Sequence, residues 1–220
     1  MPDEQNITHS YIIDFVRDTL RDEEGFLAQV ESYAKLHDVP IVQKETAALL
    51  RVLCGIKRPK RILEIGTAIG YSAMLMAELL GRDVHITTIE RDSKMAAIAK
   101  ENISKNSLDG VIEVLEGEAG LLLEVLNEPY DLIFLDAAKA HYIYFLPHCL
   151  RLLNNGGVLI SDNVLYGGMV ASRELLIRRK ITIVKRLKKY LDALCAEDSL
   201  DTCILSTGDG VAVSVKKSCG

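Results

Sequence analysis

The segment Arg61-Ile-Leu-Glu-Ile-Gly-Thr-Ala-Ile-Gly-Tyr-Ser72 constrains this chain more than any other. Ile62, Leu63 and Ile65 form the apolar run of a parallel strand buried on both faces. Gly66 and Gly70 let the backbone turn and approach a ligand without a Cβ in the way, and a helix begins at Tyr71 and Ser72. The spacing is Glu-x-Gly-x-x-x-Gly, not the Gly-x-Gly-x-x-Gly of dinucleotide binders. Glu64 places a carboxylate where a pyrophosphate would be repelled. It suits a cationic or amine-bearing ligand. A bare strand–turn–helix fits the glycines equally well, so the loop alone does not decide.

Further acids strengthen the reading. Val84-His-Ile-Thr-Thr-Ile-Glu90 is a β-branched run ending in an acid, where doubly wound folds place a carboxylate on ribose hydroxyls. Asp136 closes Tyr130-Asp-Leu-Ile-Phe-Leu-Asp136. Asp162 and Asn163 follow Gly157-Val-Leu-Ile-Ser161. Ligands of open α/β sheets bind at the carboxyl ends of strands. Asp and Asn also favour caps and turns, but four such strand ends together point to a site.

Strands near 62–65, 84–89, 111–115, 131–135 and 157–161 alternate with helices near 71–80, 93–105, 118–126 and 141–153. This rhythm predicts a parallel sheet with right-handed crossovers. Asn155-Gly-Gly157 marks a turn into the fifth strand. A long helix follows over 174–195, apolar at Leu176, Ile183, Leu187, Leu191 and Leu194 and basic elsewhere. Runs at 201–206 and 211–215 flank Gly208-Asp-Gly210, which predicts a closing antiparallel hairpin. Helices over 10–20, with Ser10 as cap, 23–36 and 44–53 precede the sheet and have no role in it. The expected architecture is α/β: a doubly wound, Rossmann-like, seven-stranded, mostly parallel sheet with an antiparallel last strand and extra N-terminal helices. One domain spans 1–220, with N-terminal helices over 1–57 and the Rossmann-like core over 61–217.

Composition narrows the function classes. Hydrophobic residues make up 49% of 220, enough for a sizeable core. No apolar run approaches the ~20 residues of a membrane span. The polar, acidic start predicts no secretory leader. Five cysteines without metal spacing predict reduced thiols and a cytoplasmic location. The scattered histidines suggest no zinc site, and His85 reads as packed in its strand. Net charge is −5, yet Arg173 to Lys189 holds eight basic residues and one acid. Such a stripe is either a solvated helix face or a footprint for a polyanion.

Taken in order, Glu64-Ile-Gly-Thr-Ala-Ile-Gly-Tyr-Ser72, Ile-Glu90-Arg, Leu-Asp136-Ala-Ala-Lys139 and Ser-Asp162-Asn163-Val resemble the metal-dependent class I O-methyltransferases, the catechol and caffeoyl-CoA enzymes among them. The resemblance spans about 39–217. Within the group the chain most resembles the bacterial tRNA 5-hydroxyuridine methyltransferases, through Val-Pro40-Ile, Asp162-Asn-Val-Leu, the basic stretch near Arg178 and the ending Gly208-Asp-Gly-Val-Ala-Val-Ser.

The resemblance implies S-adenosyl-L-methionine (SAM) as cofactor, held by Val42, Glu64, Gly66, Gly70, Tyr71, Ser72, Glu90, Ala119 and Asp136. It implies Mg²⁺ or Mn²⁺ on the hard oxygen donors of Asp136, Asp162 and Asn163. Lys139 matches the general base and acts with Asp136. Two acceptor oxygens on adjacent carbons can chelate such a metal, as catechol does and as 5-hydroxyuracil does through O5 and O4. Catechol enzymes carry an aromatic residue after Asp136; Ala137 and Ala138 stand here and suit a larger acceptor. The first reading is methylation of 5-hydroxyuridine at the tRNA wobble position to 5-methoxyuridine, with Arg178, Arg179, Lys185, Arg186 and Lys189 on RNA. The alternative is a small catechol or hydroxycinnamoyl acceptor. The intact Asp136–Lys139–Asp162–Asn163 set disfavours a non-catalytic binding protein. A homodimer is implied, and no membrane.

Overall fold

A computed structural model describes residues 8–218. Cys219 and the acidic stretch 1–6 lie outside the described residues. Helices α1 (Ser10–Thr19), α2 (Gly25–Leu36) and α3 (Lys44–Lys57) come first. The alternating core follows: β1 (Arg61–Ile65), α4 (Tyr71–Leu80), β2 (His85–Glu90), α5 (Ser93–Lys105), β3 (Ile112–Glu116), α6 (Ala119–Val125), β4 (Tyr130–Leu135), α7 (Tyr142–Leu152) and β5 (Leu153–Ser161). Helix α8 (Ile181–Ala196) leads into the hairpin β6 (Leu200–Leu205) and β7 (Val211–Lys216).

The sheet order is β3-β2-β1-β4-β5-β7-β6. The first five strands are parallel, and β7 runs antiparallel between β5 and β6. Strand order therefore reverses between β1 and β4, which opens a crevice at their carboxyl ends.

Side chains alternate across each strand, so each face has its own core. Ile62, Leu132, Phe134, Val158 and Ile160 pack under α2, α3 and α4. Leu63, Ile65, Ile133, Leu135 and Leu159 pack under α6, α7 and α8. This is the expected sheet buried on both sides. The N-terminal helices add no strand to the sheet, as expected, but they cover it: Leu27 and Val30 of α2 and Ala47, Leu50 and Cys54 of α3 complete one face. Their apolar stripe has nowhere else to be buried.

Four local readings also change. Ser10 is the first helical residue; His9 is the N-cap and no side chain caps the helix. His85 opens β2 with its side chain 43% exposed, 3.8 Å from Glu113, so it is not packed. Asn155-Gly-Gly157 is not a turn: α7 runs straight into β5, and the register shifts between Tyr130 and Leu132. Asn154 Nδ2 donates to Asp131 Oδ1 at 2.9 Å across that irregularity. Last, the basic segment is not one helix over 174–195. Ile177 is extended, Arg178–Lys180 form a short 3₁₀ turn, and α8 starts only at Ile181. Leu175 and Ile177 are exposed there, so no apolar stripe holds the first predicted turns in a helix.

Among the described residues, Cys54, Cys149, Cys195 and Cys203 are free. No helix of the described residues is long and apolar enough to cross a membrane.

Candidate active site

A cleft of about 430 Å³ opens at the carboxyl ends of β1 and β4. Val42, on the segment leading into α3, lies on one side. Gly66, Tyr71, Ser72, Glu90 and Ala119 line it, as do Asp136 and Lys139. The chain folds into this wall for local reasons. Gly66 has φ +108°, and a Cβ there would lie 2.1 Å from the Asp136 carbonyl oxygen. Only glycine lets the loop cross β4 this closely. Ala68 is left-handed at φ +46°. Its N–H donates to Glu90 Oε2 at 2.9 Å, while Asp92 N–H donates to Glu90 Oε1 at 2.9 Å. Glu90, expected from sequence as a ribose ligand, ties the glycine loop at Ala68 to its own turn at Asp92 through its two carboxylate oxygens.

Two expected cofactor residues sit behind the cleft wall. Gly70, at φ +87°, is the N-cap of α4, and a Cβ there would lie 3.5 Å from the Ala99 Cβ. Glu64 is fully buried beneath the loop. Its Oε2 accepts from Thr88 Oγ1 at 2.5 Å, and Thr88 in turn meets Thr67 Oγ1 at 2.6 Å. The other carboxylate oxygen, Oε1, is buried without a partner. Burial raises the Glu64 carboxyl to about 7; the Ser72 and Thr88 hydroxyls oppose this, and the Asp136 and Glu90 charges add to it.

Beside the cleft the carboxylates crowd. Lys139 Nζ donates to Asp136 Oδ1 at 2.9 Å, and both side chains are about one-fifth exposed (22% and 20%). Asp162 is 2% exposed. Burial and then the Asp136 charge hold its carboxyl well above the usual range, with Lys139 opposing. Asn163 follows at φ +56°, a left-handed conformation that Asn tolerates, and its N–H donates to Asp162 Oδ1 at 2.7 Å. The structure therefore brings Asp136, Lys139, Asp162 and Asn163 to one edge, as the sequence predicts. Among the described residues no three His, Cys, Asp or Glu side chains cluster as metal ligands; the set is two acids and an amide. Its chemistry fits a divalent cation. Hard oxygens suit Mg²⁺ or Mn²⁺, and a positive charge there offsets the repulsion between the two acids.

Sequence reasoning missed two supports of this cluster. Tyr142 is fully buried, and its hydroxyl lies 3.0 Å from the Leu135 carbonyl and 3.1 Å from the Asp162 carbonyl. It ties together the ends of β4 and β5 that carry the acids. Asp209, read only as part of a turn, accepts from the Gly167 N–H. Backbone bonds from Val164 to Gly210 and from Leu165 to Asp209 dock the Asn163 loop on the hairpin. No motif marked Tyr142; the Gly-Asp-Gly pattern did mark Asp209, but as hairpin chemistry. His141 and Phe145 also line the cleft.

The fold and this site define a Rossmann-like methyltransferase. An O-methyltransferase family model matches residues 19–217, and the chain belongs to that family. It is 31% identical to the catechol O-methyltransferase of Niastella koreensis over 203 residues, covering 89% of this chain and 91% of that one. It is 26% identical to the caffeoyl-CoA O-methyltransferase of Stellaria longipes, covering 92% and 87%. The structure of a Bacillus cereus O-methyltransferase in complex with SAH superposes with a TM-score of 0.83, at 28% identity over 99% of this chain and 100% of that one.

Two outcomes test this geometry. The raised Glu64 carboxyl means that the folded state disfavours the charged form. Its penalty is absent below the ordinary value of 4.5 and grows as pH rises from there to about 7. Apo-protein melting curves should show Glu64→Gln gaining stability relative to the parent across that window; parallel pH profiles for the two would refute it. Tyr142→Phe should keep the fold, cost about 1 kcal/mol in denaturant titration, and raise the Mg²⁺ concentration needed for half-maximal turnover. Unchanged Mg²⁺ dependence would show that the hydroxyl does not hold the strand ends.

Proposed function

We propose that this chain transfers a methyl group from SAM to a hydroxyl that has a second oxygen on the adjacent carbon. One observation carries the reading: a cleft lined by Glu90 and the glycine loop ends on the Asp136–Lys139 pair, with Asp162 and Asn163 behind it. SAM supplies an electrophilic methyl on a sulfonium. Ser72 at the start of α4 suits its carboxylate, because a helix N-terminus favours an anion. The SAH found with the Bacillus cereus relative supports the same cofactor.

Asp136, Asp162 and Asn163 would hold a divalent cation, which lowers the pKa of a neighbouring acceptor hydroxyl and orients it. Lys139 in its neutral amine form would accept the proton from that hydroxyl and become the ammonium that pairs with Asp136. Asp136 keeps the lysine in place, and the cleft wall lines the acceptor oxygen up behind the methyl carbon. Such orientation alone removes several kcal/mol of barrier, up to ~7–11 in the best cases. Ala137 and Ala138 put no bulky side chain against the acceptor ring.

The names of the relatives favour a small catechol or hydroxycinnamoyl acceptor. A second reading, 5-hydroxyuridine in tRNA, rests on the basic segment. None of its eight cations lies within 4.0 Å of a carboxylate among the described residues. Arg178, Arg179, Lys185 and Lys189 are exposed. Arg186 is half-buried over the Tyr144 ring at 5.4 Å, so it is less free to meet phosphates than the sequence suggested. Exposed Tyr11 and Phe15 on α1 support a homodimer.

Methyl transfer from labelled SAM to catechol and to unmodified or 5-hydroxyuridine-bearing tRNA, with and without chelator, tests both readings. Activity should vanish in chelator and return with Mg²⁺, and Lys139→Ala should cost about 10²-fold or more in turnover. Full activity in excess chelator would end the metal reading. An RNA acceptor additionally requires binding that falls steeply with salt; salt-insensitive activity confined to catechol would leave the small-molecule reading.

A further inference from the structure

The cations of the basic segment differ in surroundings. Arg178 and Arg179 point into solvent, whereas Lys180, in the same turn, is half-buried. Its Nζ sits 4.6 Å from the centroid of the Tyr166 ring. No carboxylate lies within 4.0 Å of it among the described residues. A half-buried lysine with no carboxylate in direct contact keeps its N–H donors open to an anionic partner.

Its location says what that partner is. Asp209 lies within electrostatic reach of both Lys139 and Lys180, and its carboxylate is already used by the Gly167 N–H. One carboxylate thus feels the charge of two ammonium groups without contacting either. Lys139 holds Asp136 directly, at 2.9 Å. Helix α8, which Lys180 caps, packs on the Lys139–His141 turn. Lys180 is therefore a cation beside the Asp209 turn, linked to it through Tyr166 and the Gly167 contact, and it does not line the cofactor cleft. Tyr166, left-handed at φ +47° beside Gly167 and Gly168, holds the lysine ammonium over its ring.

We propose that Lys180, steadied on Tyr166, forms an anion subsite for the methyl acceptor, reading a carboxylate or phosphate carried by the molecule whose hydroxyl is methylated. The inference rests on the vicinal-oxygen acceptor assigned above. It adds a preference for an anionic acceptor that catechol itself does not satisfy. Arg178 and Arg179 stand outside this subsite and set the approach of anions rather than their final position.

Two matched pairs of acceptors test it: catechol against 3,4-dihydroxybenzoate, and 5-hydroxyuridine against its 5′-monophosphate. The parent enzyme should prefer the anionic member of one pair, and which pair shows the preference separates a carboxylate from a phosphate. Lys180→Met keeps the apolar stem and removes the charge. It should lower kcat/KM for the preferred anion at least tenfold, through KM, leave the neutral partner unchanged, and be rescued by Lys180→Arg. Equal losses on both members would mean a structural role and overturn the subsite, as would no loss on either. Calorimetric binding of the methylated products 4-hydroxy-3-methoxybenzoate and 5-methoxyuridine 5′-monophosphate gives a readout free of turnover. If no acceptor is methylated, the vicinal-oxygen reading fails. Lys180 is then judged by binding alone: weaker binding of either anion to Lys180→Met sustains the subsite, and equal affinity refutes it.

Discussion

The site depends on one constraint: two carboxylates, Asp136 and Asp162, end neighbouring strands and lie close enough for one to burden the other's charge. In a low-dielectric setting that repulsion costs free energy unless a cation offsets it. The surrounding structure maintains the crowding. Gly66 lets the glycine loop press on the Asp136 backbone, Tyr142 bridges the two strand ends, and the β6–β7 hairpin holds the Asn163 loop. Lys139 supplies one positive charge, through Asp136. The arrangement is two crowded acids with one positive charge beside them, and the proposed cation would supply a second.

Rigidity follows from the same features. Each face of the sheet carries its own apolar core, so the strand ends that bear the acids are fixed from both sides. The N-terminal helices belong to this fixation. They cover one face and also deliver Val42 to the cleft. The buried Tyr190 hydroxyl, 2.6 Å from Ser161 Oγ, anchors the last residue of β5, immediately before Asp162.

Much of this was legible in the sequence because its signals are local. The glycine loop, the strand-ending acids and the hairpin each announce themselves within a dozen residues, and each came out where expected. The failures are non-local. Asn155-Gly-Gly157 has turn chemistry, but strand pairing with β4 and the Asp131 side chain draw it into β5. The basic segment has helical spacing from Leu176 on, yet nothing buries Leu175 or Ile177, so the helix waits until Ile181. Glu64 was read as facing the ligand; side-chain alternation along β1 puts it under the loop instead. Tyr142 could not be singled out, because its role exists only once β4, α7 and β5 are assembled.

The central claim is that Asp136, Asp162 and Asn163 form a cation site that the fold keeps primed. Calorimetric titration of Mg²⁺ into the protein saturated with S-adenosylhomocysteine tests it directly. The account predicts one saturable site per chain, lost in Asp162→Asn, whose fold remains intact by circular dichroism. The absence of saturable binding in the parent protein, or equal binding to the Asp162→Asn variant, would contradict it.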